Sequence, residues 1–388
     1  MKTCAIICEY NPFHNGHAYQ IDKARALGYE KIVAIMSGNL VQRGETAICD
    51  KFSRAKMALM GGADLIVEIP SVFAMSYAEN FANAGVYIAN ELGVDALVFG
   101  SECGDVKKLE KIADNLKSNE LDTEIKSGLK LGQSYSAARG FAYDKLFGEC
   151  AELQNPNDIL GIEYISAIKR QGSRIEPVCI KRKSVEHDSD IGIDGFASAS
   201  HIRELIKNEK WKEVEKFVPK QSAFILKDCW NKGKISDIDN IGNAIISKIR
   251  TATAAEITKI PGVSDGLDFR LYNASKKASN LAELLEMTKT KRFTLARIKR
   301  AVLSYFFGLT DSAKKPEYIR VLGFNSNGEE LLKDRASKTN IPLIFRATAL
   351  KDNPMFDTEC KATDLYVLSY NKPGICGTEM TSMIVKTQ

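Results

Sequence analysis

The strongest constraint on the fold is a repeated pairing, in the first half of the chain, of a short apolar run with a longer stretch of helical period. Residues 4–9 (CAIICE), 31–36 (KIVAIM), 64–69 (DLIVEI) and 95–99 (DALVF) are the apolar runs; helical periodicity covers 16–27, 50–61, 77–92 and 106–117. Strands that are apolar on both faces and separated by helices predict a parallel sheet covered on both sides. That is the α/β doubly wound arrangement. A helix over 157–170 and a strand over 174–180 continue the pattern. From about 201 to 308 the sequence turns mainly helical and basic. From about 316 it is mixed, with strand-like pieces at 318–323 and 364–370. At 388 residues the chain exceeds one ordinary domain. We expect one region over 1–205 that holds the sheet, and a helical and small mixed α/β region over 206–388.

Composition removes several classes of protein. A hydrophobic fraction of 44% against 27% charged residues is ample for a buried core and excludes wholesale disorder. No apolar run reaches the ~18–20 residues of a membrane span, so no membrane partner is expected. Glu9 ends the first apolar run too early for a secretory signal. Nine cysteines with no CxxC pair read as reduced thiols, and the expected compartment is the cytoplasm.

The densest chemistry lies in Ile7-Cys8-Glu9-Tyr10-Asn11-Pro12-Phe13-His14-Asn15-Gly16-His17, where the first strand meets the first helix. Ligands of open α/β sheets bind in the crevice at the carboxyl ends of the strands. Pro12 breaks the strand, and Gly16 removes a side chain where a phosphate would approach the backbone. His14 and His17, three apart at a helix start, can both face one ligand. The helix N-terminus adds orphan N–H donors and partial positive charge. Imidazoles can hydrogen-bond a triphosphate without trapping the departing pyrophosphate as firmly as permanent cations, and phosphate charge favours their protonated form. The competing reading makes both histidines ordinary caps. They are two of only four in the chain and they frame a glycine, which favours the ligand. A zinc site from Cys4, Cys8 and the histidines has no second ligand pair at metal spacing, so no protein-held metal is expected.

His14-Asn15-Gly16-His17 is the HxGH signature of a nucleotidyltransferase superfamily, and the longer string Glu9 to His17 resembles bacterial tRNA(Met) cytidine acetate ligases. The resemblance extends through Met36-Ser37-Gly38-Asn39, Gln42-Arg43-Gly44-Glu45, Lys51 to Ala58, Phe99-Gly100-Ser101-Glu102, Asn157 to Tyr164, Ile180-Lys181-Arg182 and Ser198 to Arg203. It continues more loosely through Asp268-Phe269-Arg270 and Lys291-Arg292-Phe293-Thr294 to Arg320-Val321-Leu322-Gly323-Phe324. It implies an ATP-binding catalytic region over 1–205 that makes acetyl-adenylate from acetate and ATP. The acetyl group then passes to the wobble cytidine of elongator tRNA(Met), giving N4-acetylcytidine. The resemblance places ATP on Ile7, Cys8, Glu9, Tyr10, Asn11, Pro12, Phe13, His14, Asn15, Gly16, His17, Ala18, Tyr19 and Gln20, with Gly100, Asn157 and Arg182. His14 and His17 contact the triphosphate in this reading, and Mg2+ accompanies it for charge neutralisation.

Each assignment has a bland counterpart. Gly100 fits a strand-ending turn, Asn157 a helix N-cap, and Arg182 a solvated rim. Ser198 and Ser200, in the segment that resembles the second superfamily motif, could touch phosphates or simply cap a helix; Ala199 departs from the family's usual hydroxyl. Glu9 and Asp50 are candidates to assist loss of the cytidine amine proton. Lys51 and Arg54 fit either a phosphate contact or a solvated helix face. Lys289, Lys291, Arg292, Arg297, Lys299 and Arg300 place six cations in twelve residues, the electrostatic footprint of an RNA-binding region over 206–388. On a helix, Arg292, Lys299 and Arg300 would share a side, with Phe293, Leu295 and Ile298 inward. Two other functions fit the motif: a small-molecule adenylyltransferase of cofactor synthesis, and a non-catalytic ATP-sensing RNA-binding protein.

Overall fold

The computed structural model describes residues 2–182, 195–310 and 313–388. Its centre is an eight-stranded sheet ordered β10-β8-β5-β2-β1-β6-β7, with β9 also on β8. The strands are β1 (Thr3–Cys8), β2 (Lys31–Ser37), β5 (Leu65–Ile69), β6 (Ala96–Ser101), β7 (Glu176–Lys181), β8 (Ile319–Phe324), β9 (Leu343–Ile344) and β10 (Val385–Lys386); β3 (Leu40–Val41) and β4 (Glu45–Thr46) form a separate hairpin. Every pairing in the sheet is parallel except β5 with β8.

Alternation along each strand feeds two cores. Ala5, Ile7, Val33, Ile35, Leu65 and Val67 enter one layer. Cys4, Ile6, Ile32, Ala34, Met36 and Ile66 enter the other. Burial on both faces is why these strands read as continuous apolar runs. A third core, built mainly from the helices between Ile241 and Phe307, packs against Leu40, Met75 and Tyr366. Among the described residues, no helix is long and apolar enough to cross a membrane.

Two expectations need correction. The strand-like stretch 364–370 continues the helix Pro354–Tyr366 into a short 3-10 turn. Asn353 caps that helix and Pro354 opens it, a start signal that outweighs the β-propensity of the residues at its end. The region 206–388 also supplies β8, β9 and β10 to the central sheet, so the sheet is not confined to 1–205.

The C-terminal part is further joined to the sheet by buried charge. Lys51, 1% exposed, lies 2.6 Å from Glu68 and 2.7 Å from Glu379. Glu359 accepts the Ser71 hydroxyl at 2.8 Å in the same cluster. Burial first, and then the Glu68 charge, push the Glu359 carboxyl up to about 8 from its ordinary 4.5. The folded protein therefore holds a proton that the unfolded chain has released, and stability falls as pH rises between those two values. We expect Glu359→Gln to gain melting temperature relative to the parent progressively over that window; a constant difference would contradict the assignment. Lys51→Ala leaves Glu68 and Glu379 without their cation and should cost about 3–5 kcal/mol in urea unfolding.

Candidate active site

β1 is the topological switch of the sheet, because the chain runs from it to β2 on one side and returns to β6 on the other. The crevice at that point is the binding position of doubly wound folds, and the HNGH turn sits there. His14 caps the helix Asn15–Ala26. Its Nδ1 accepts the Gly16 N–H at 3.0 Å, and His17 Nδ1 accepts the His14 N–H at 3.2 Å. The two rings stack, centroids 3.6 Å apart and 20° from coplanar. Tyr10 and Phe13 pack on His17 at 4.7 and 5.7 Å between centroids. A Cβ on Gly16 would stand 2.9 Å from His14 Cε1. The glycine thus makes room for the folded-back imidazole, a reason nearer than phosphate approach.

These bonds fix the chemistry of the pair. An Nδ1 that accepts carries no proton, so both neutral rings carry theirs on Nε2. Burial, with Arg182 and Arg203 next, lowers His14 to about 3. Burial, followed by His14, holds His17 well below its ordinary value. Without a phosphate nearby the rings are neutral donors, not the imidazolium pair that phosphate charge alone suggests. The structure shows the cap: Nδ1 of each ring serves the helix, which leaves its Nε2–H uncommitted to it.

The structure brings Gly100, Asn157 and Arg182 together. Gly100 lies on β6, and a Cβ there would meet Arg182 Cγ at 3.3 Å, so the arginine stem crosses the glycine. Arg182 Nη1 donates to Asn157 Oδ1 at 3.5 Å. Asn157 is not the N-cap; Asn155 holds that position and Pro156 opens the helix. Instead Glu102 receives the Asn157 amide Nδ2 at 2.5 Å and the Asp158 N–H at 2.9 Å. Ser198 is a cap, its hydroxyl accepting the His201 N–H at 3.2 Å and lying 3.1 Å from the Ser200 hydroxyl. Elsewhere in the cradle, Asn15 Nδ2 donates to the carbonyls of Gly195 and Lys216 at 2.8 and 3.0 Å, and Gln20 to Val98 O at 3.3 Å.

Three supporting residues lay inside the quoted motifs without being singled out for these roles. Arg54, fully buried, donates to the carbonyls of Glu9, Ser37, Gly38 and Cys49. Lys51 and Arg54 are therefore neither solvated nor phosphate contacts. Arg203 Nη1 reaches Asn11 O at 2.9 Å while its Nη2 pairs with Glu45 at 2.9 Å. Glu102 is the third. Of the two carboxylates considered for the amine proton, Asp50 caps the helix Lys51–Met60 through Ser53. Glu9 accepts the Gln42 N–H at 2.8 Å, and burial raises its pKa against the charges of Arg43 and Arg203. Among the described residues no group of three or more His, Cys, Asp or Glu is placed to hold a metal ion.

A family model described as HIGH Nucleotidyl Transferase matches residues 1–378. The chain is 38% identical to the tRNA(Met) cytidine acetate ligase of Caldanaerobacter subterraneus subsp. tengcongensis, over 100% of both chains. The chain belongs to the tRNA(Met) cytidine acetate ligase family. It is also 36% identical to the protein of that name from Acetivibrio thermocellus, over 99% of this chain and 100% of the relative. The crystal structure of Thermotoga maritima TmcAL bound with alpha-thio ATP matches with a TM-score of 0.90 at 34% identity, covering 100% of each chain. The apo form of the same protein gives 0.93, again at 34% identity, over 100% of this chain and 99% of the other.

In this member of the cytidine acetate ligase family, the six clustered cations do not make one stripe. Arg292 precedes the helix Leu295–Phe307, so it cannot share a helical side with Lys299 and Arg300. Arg297 pairs with Asp265 at 3.5 Å and donates to Gly262 O at 3.0 Å. Lys299 reaches Glu45 at 3.1 Å, and Arg300 donates to Gln42 O at 3.2 Å; both turn toward the β3–β4 hairpin. Phe293 and Ile298 are buried, whereas Leu295 is exposed. Lys289, Lys291 and Arg292 keep the most surface, although Lys289 stands 4.0 Å from Glu286 and Arg292 3.9 Å from Asp265.

The tautomers give a direct test. In nucleotide-free protein, 15N-histidine NMR should show both His14 and His17 as Nε2–H imidazoles, unchanged from about pH 8 to about pH 5. Titration of either ring in that range would refute the assignment. Since His14 takes up no second ring proton in the fold until about pH 3, stability should also fall as pH drops below the ordinary histidine range of ~6.5.

Proposed function

We propose that the chain is an ATP-dependent ligase that forms acetyl-adenylate from acetate and acetylates the wobble cytidine of elongator tRNA(Met). The observation that carries this reading is the stacked pair of neutral, Nε2-protonated imidazoles at a helix N-terminus on the switch point of the sheet. The relatives named above are tRNA(Met) cytidine acetate ligases by name, and the solved relative binds an ATP analogue.

Acetate is already ionised near neutral pH, so its attack on the α-phosphorus needs orientation rather than a base. One acetate oxygen bonds to phosphorus as the bond to the bridging oxygen breaks, and pyrophosphate leaves. His14 and His17 donate through Nε2–H to the phosphates, and the helix N-terminus adds its N–H groups. Arg182 supplies a permanent charge on the rim beside Gly100 and Asn157. Neutral donors stabilise growing charge without a full ion pair that would retain pyrophosphate. Mg2+ would accompany the triphosphate and would neutralise part of its charge. In the second step the cytidine amine attacks the acetyl carbonyl carbon, AMP leaves, and the amine gives up one proton. In this reading Glu9, whose pKa burial raises, assists that loss. The surface cations Lys289, Lys291 and Arg292 are the proposed RNA contacts, with Arg297, Lys299 and Arg300 shaping the wall behind them. The expected setting is the cytoplasm.

Incubation with ATP, labelled acetate and bacterial tRNA, followed by digestion to nucleosides, should yield N4-acetylcytidine. Absence of product with intact ATP binding would favour the ATP-sensing alternative; adenylyl transfer to a small phosphorylated acceptor would favour the cofactor-synthesis one. His17→Ala should lower acetate-dependent ATP–pyrophosphate exchange by about 100-fold or more, in line with loss of a transition-state donor, while filter retention of tRNA changes little. Loss of retention with normal exchange would overturn the role given to His17.

A further inference from the structure

A second cavity, of about 570 Å3, lies beside the HNGH turn between the β3–β4 hairpin, the helix Ala199–Lys207 and the helices Leu281–Thr288 and Leu295–Phe307. Its volume is in the range that encloses a small ligand. It shares a wall with the nucleotide crevice, because Arg203, which lines it, also donates to the carbonyl of Asn11 at 2.9 Å.

The lining selects the class of occupant. Three carboxylates and three cations face it, so the charged groups cancel. A triphosphate needs a surplus of positive charge; an uncharged heterocycle does not. Ile238, Leu285 and Leu303 supply apolar walls on which a flat ring can pack. Glu45 is the anchored polar group. Arg203 holds one of its oxygens at 2.9 Å and Lys299 the other at 3.1 Å, and each oxygen keeps a further lone pair for an incoming donor. Cytosine presents an amine donor at its 4-position, the group a carboxylate accepts from, where uracil presents a carbonyl.

We propose that this cavity receives the target cytosine of the RNA, unstacked from its neighbours, with Glu45 accepting from the exocyclic amine. Enzymes that modify a base must extract it from its stack into such a pocket. The shared Arg203 wall places the amine next to the crevice where the adenylate would form. The inference rests on the acetyl-transfer reading above, and it assigns a site that the HxGH motif does not include.

The experiment compares two RNA hairpins of the tRNA(Met) anticodon arm, one with the wobble cytidine and one abasic at that position, binding to the parent and to Leu285→Trp. A tryptophan at 285 builds into the cavity from the apolar wall on which the base would pack. Removing the base should weaken binding to the parent by about tenfold, as stacking and hydrogen bonding to one base would give, and to the variant by less than about twofold. Equal losses in the two proteins would overturn the pocket. Acetate-dependent ATP–pyrophosphate exchange by Leu285→Trp should stay at the parent's level, which also reports its folding. Should that variant not fold, Glu204→Trp, at an exposed helix position on the same rim, must reproduce the pattern for the inference to stand. The parent's production of acetylcytidine is read separately: its absence refutes the acetyl-transfer reading, whereas equal abasic losses refute the pocket alone.

Discussion

Two cations on the first turn of one helix carry the geometry of the site. Arg54 spends its guanidinium on four backbone carbonyls, among them Glu9 at the entry to the HNGH turn and Ser37 and Gly38 at the end of β2. Glu9, Gly38 and Cys49 lie outside the strands and Ser37 ends β2, so these carbonyls sit at or past the end of the ladder, where burial without donors would be costly. Lys51, three residues earlier, closes onto Glu68 and Glu379. One helix end thereby ties the entry to the HNGH turn, the sheet and the helix that carries Glu379 together. A charge in such a place persists only because every neighbour compensates it.

The histidine pair depends on that frame. Tyr10 sits at φ 46°, an unfavourable left-handed conformation for a residue with a side chain. Its ring nonetheless packs on Phe13 at 4.9 Å and on His17. Asn11 is bound from both sides, its side chain accepting the Ile48 N–H at 2.7 Å and its carbonyl accepting from Arg203. With the preceding turn so constrained, His14 and His17 can use their inner nitrogens as a reciprocal cap. Capping boxes are ordinarily built from a hydroxyl or carboxamide and a carboxylate. Replacing both with imidazoles keeps the cap and adds two Nε2–H donors near the positive end of a helix.

The fold was readable wherever a strand is buried on both faces. β1, β2, β5 and β6 announce themselves by composition, and the helix at 156–170 by period and by Pro156. Residues 364–370 misled because Leu, Tyr and Val suit a strand locally, while the signals for the helix, Asn353 and Pro354, lie ten residues upstream. Lys51 and Arg54 could not be read as buried, since charged residues are almost never fully inside unless paired. The partners of Lys51 that decide the matter, Glu379 and the nearby Glu359, are more than 300 residues away. The setting of Arg297, Lys299 and Arg300 was hidden for the same reason: Asp265, Glu45 and the Gln42 carbonyl neutralise or hold them from other elements. The HNGH site was legible because its spacing encodes local geometry; the tautomers were not, because they follow from hydrogen-bond directions that only the folded turn defines.

The antiparallel strand β8 explains why the second half of the chain should matter to the first. A parallel sheet that ended at β5 would leave an unpaired edge beside the strand that carries Glu68, and open edges invite association with other chains. β8 covers that edge and brings Tyr318 and Arg320 into the same buried region. From there the chain proceeds to the helices that deliver Glu359 and Glu379 beneath Lys51. On the opposite side of the site, Lys299 and Arg300 fasten the β3–β4 hairpin to the helical region. The hairpin is therefore held between the sheet and the helices, with Glu45 at its tip facing the cavity and Arg203 joining it to the HNGH turn.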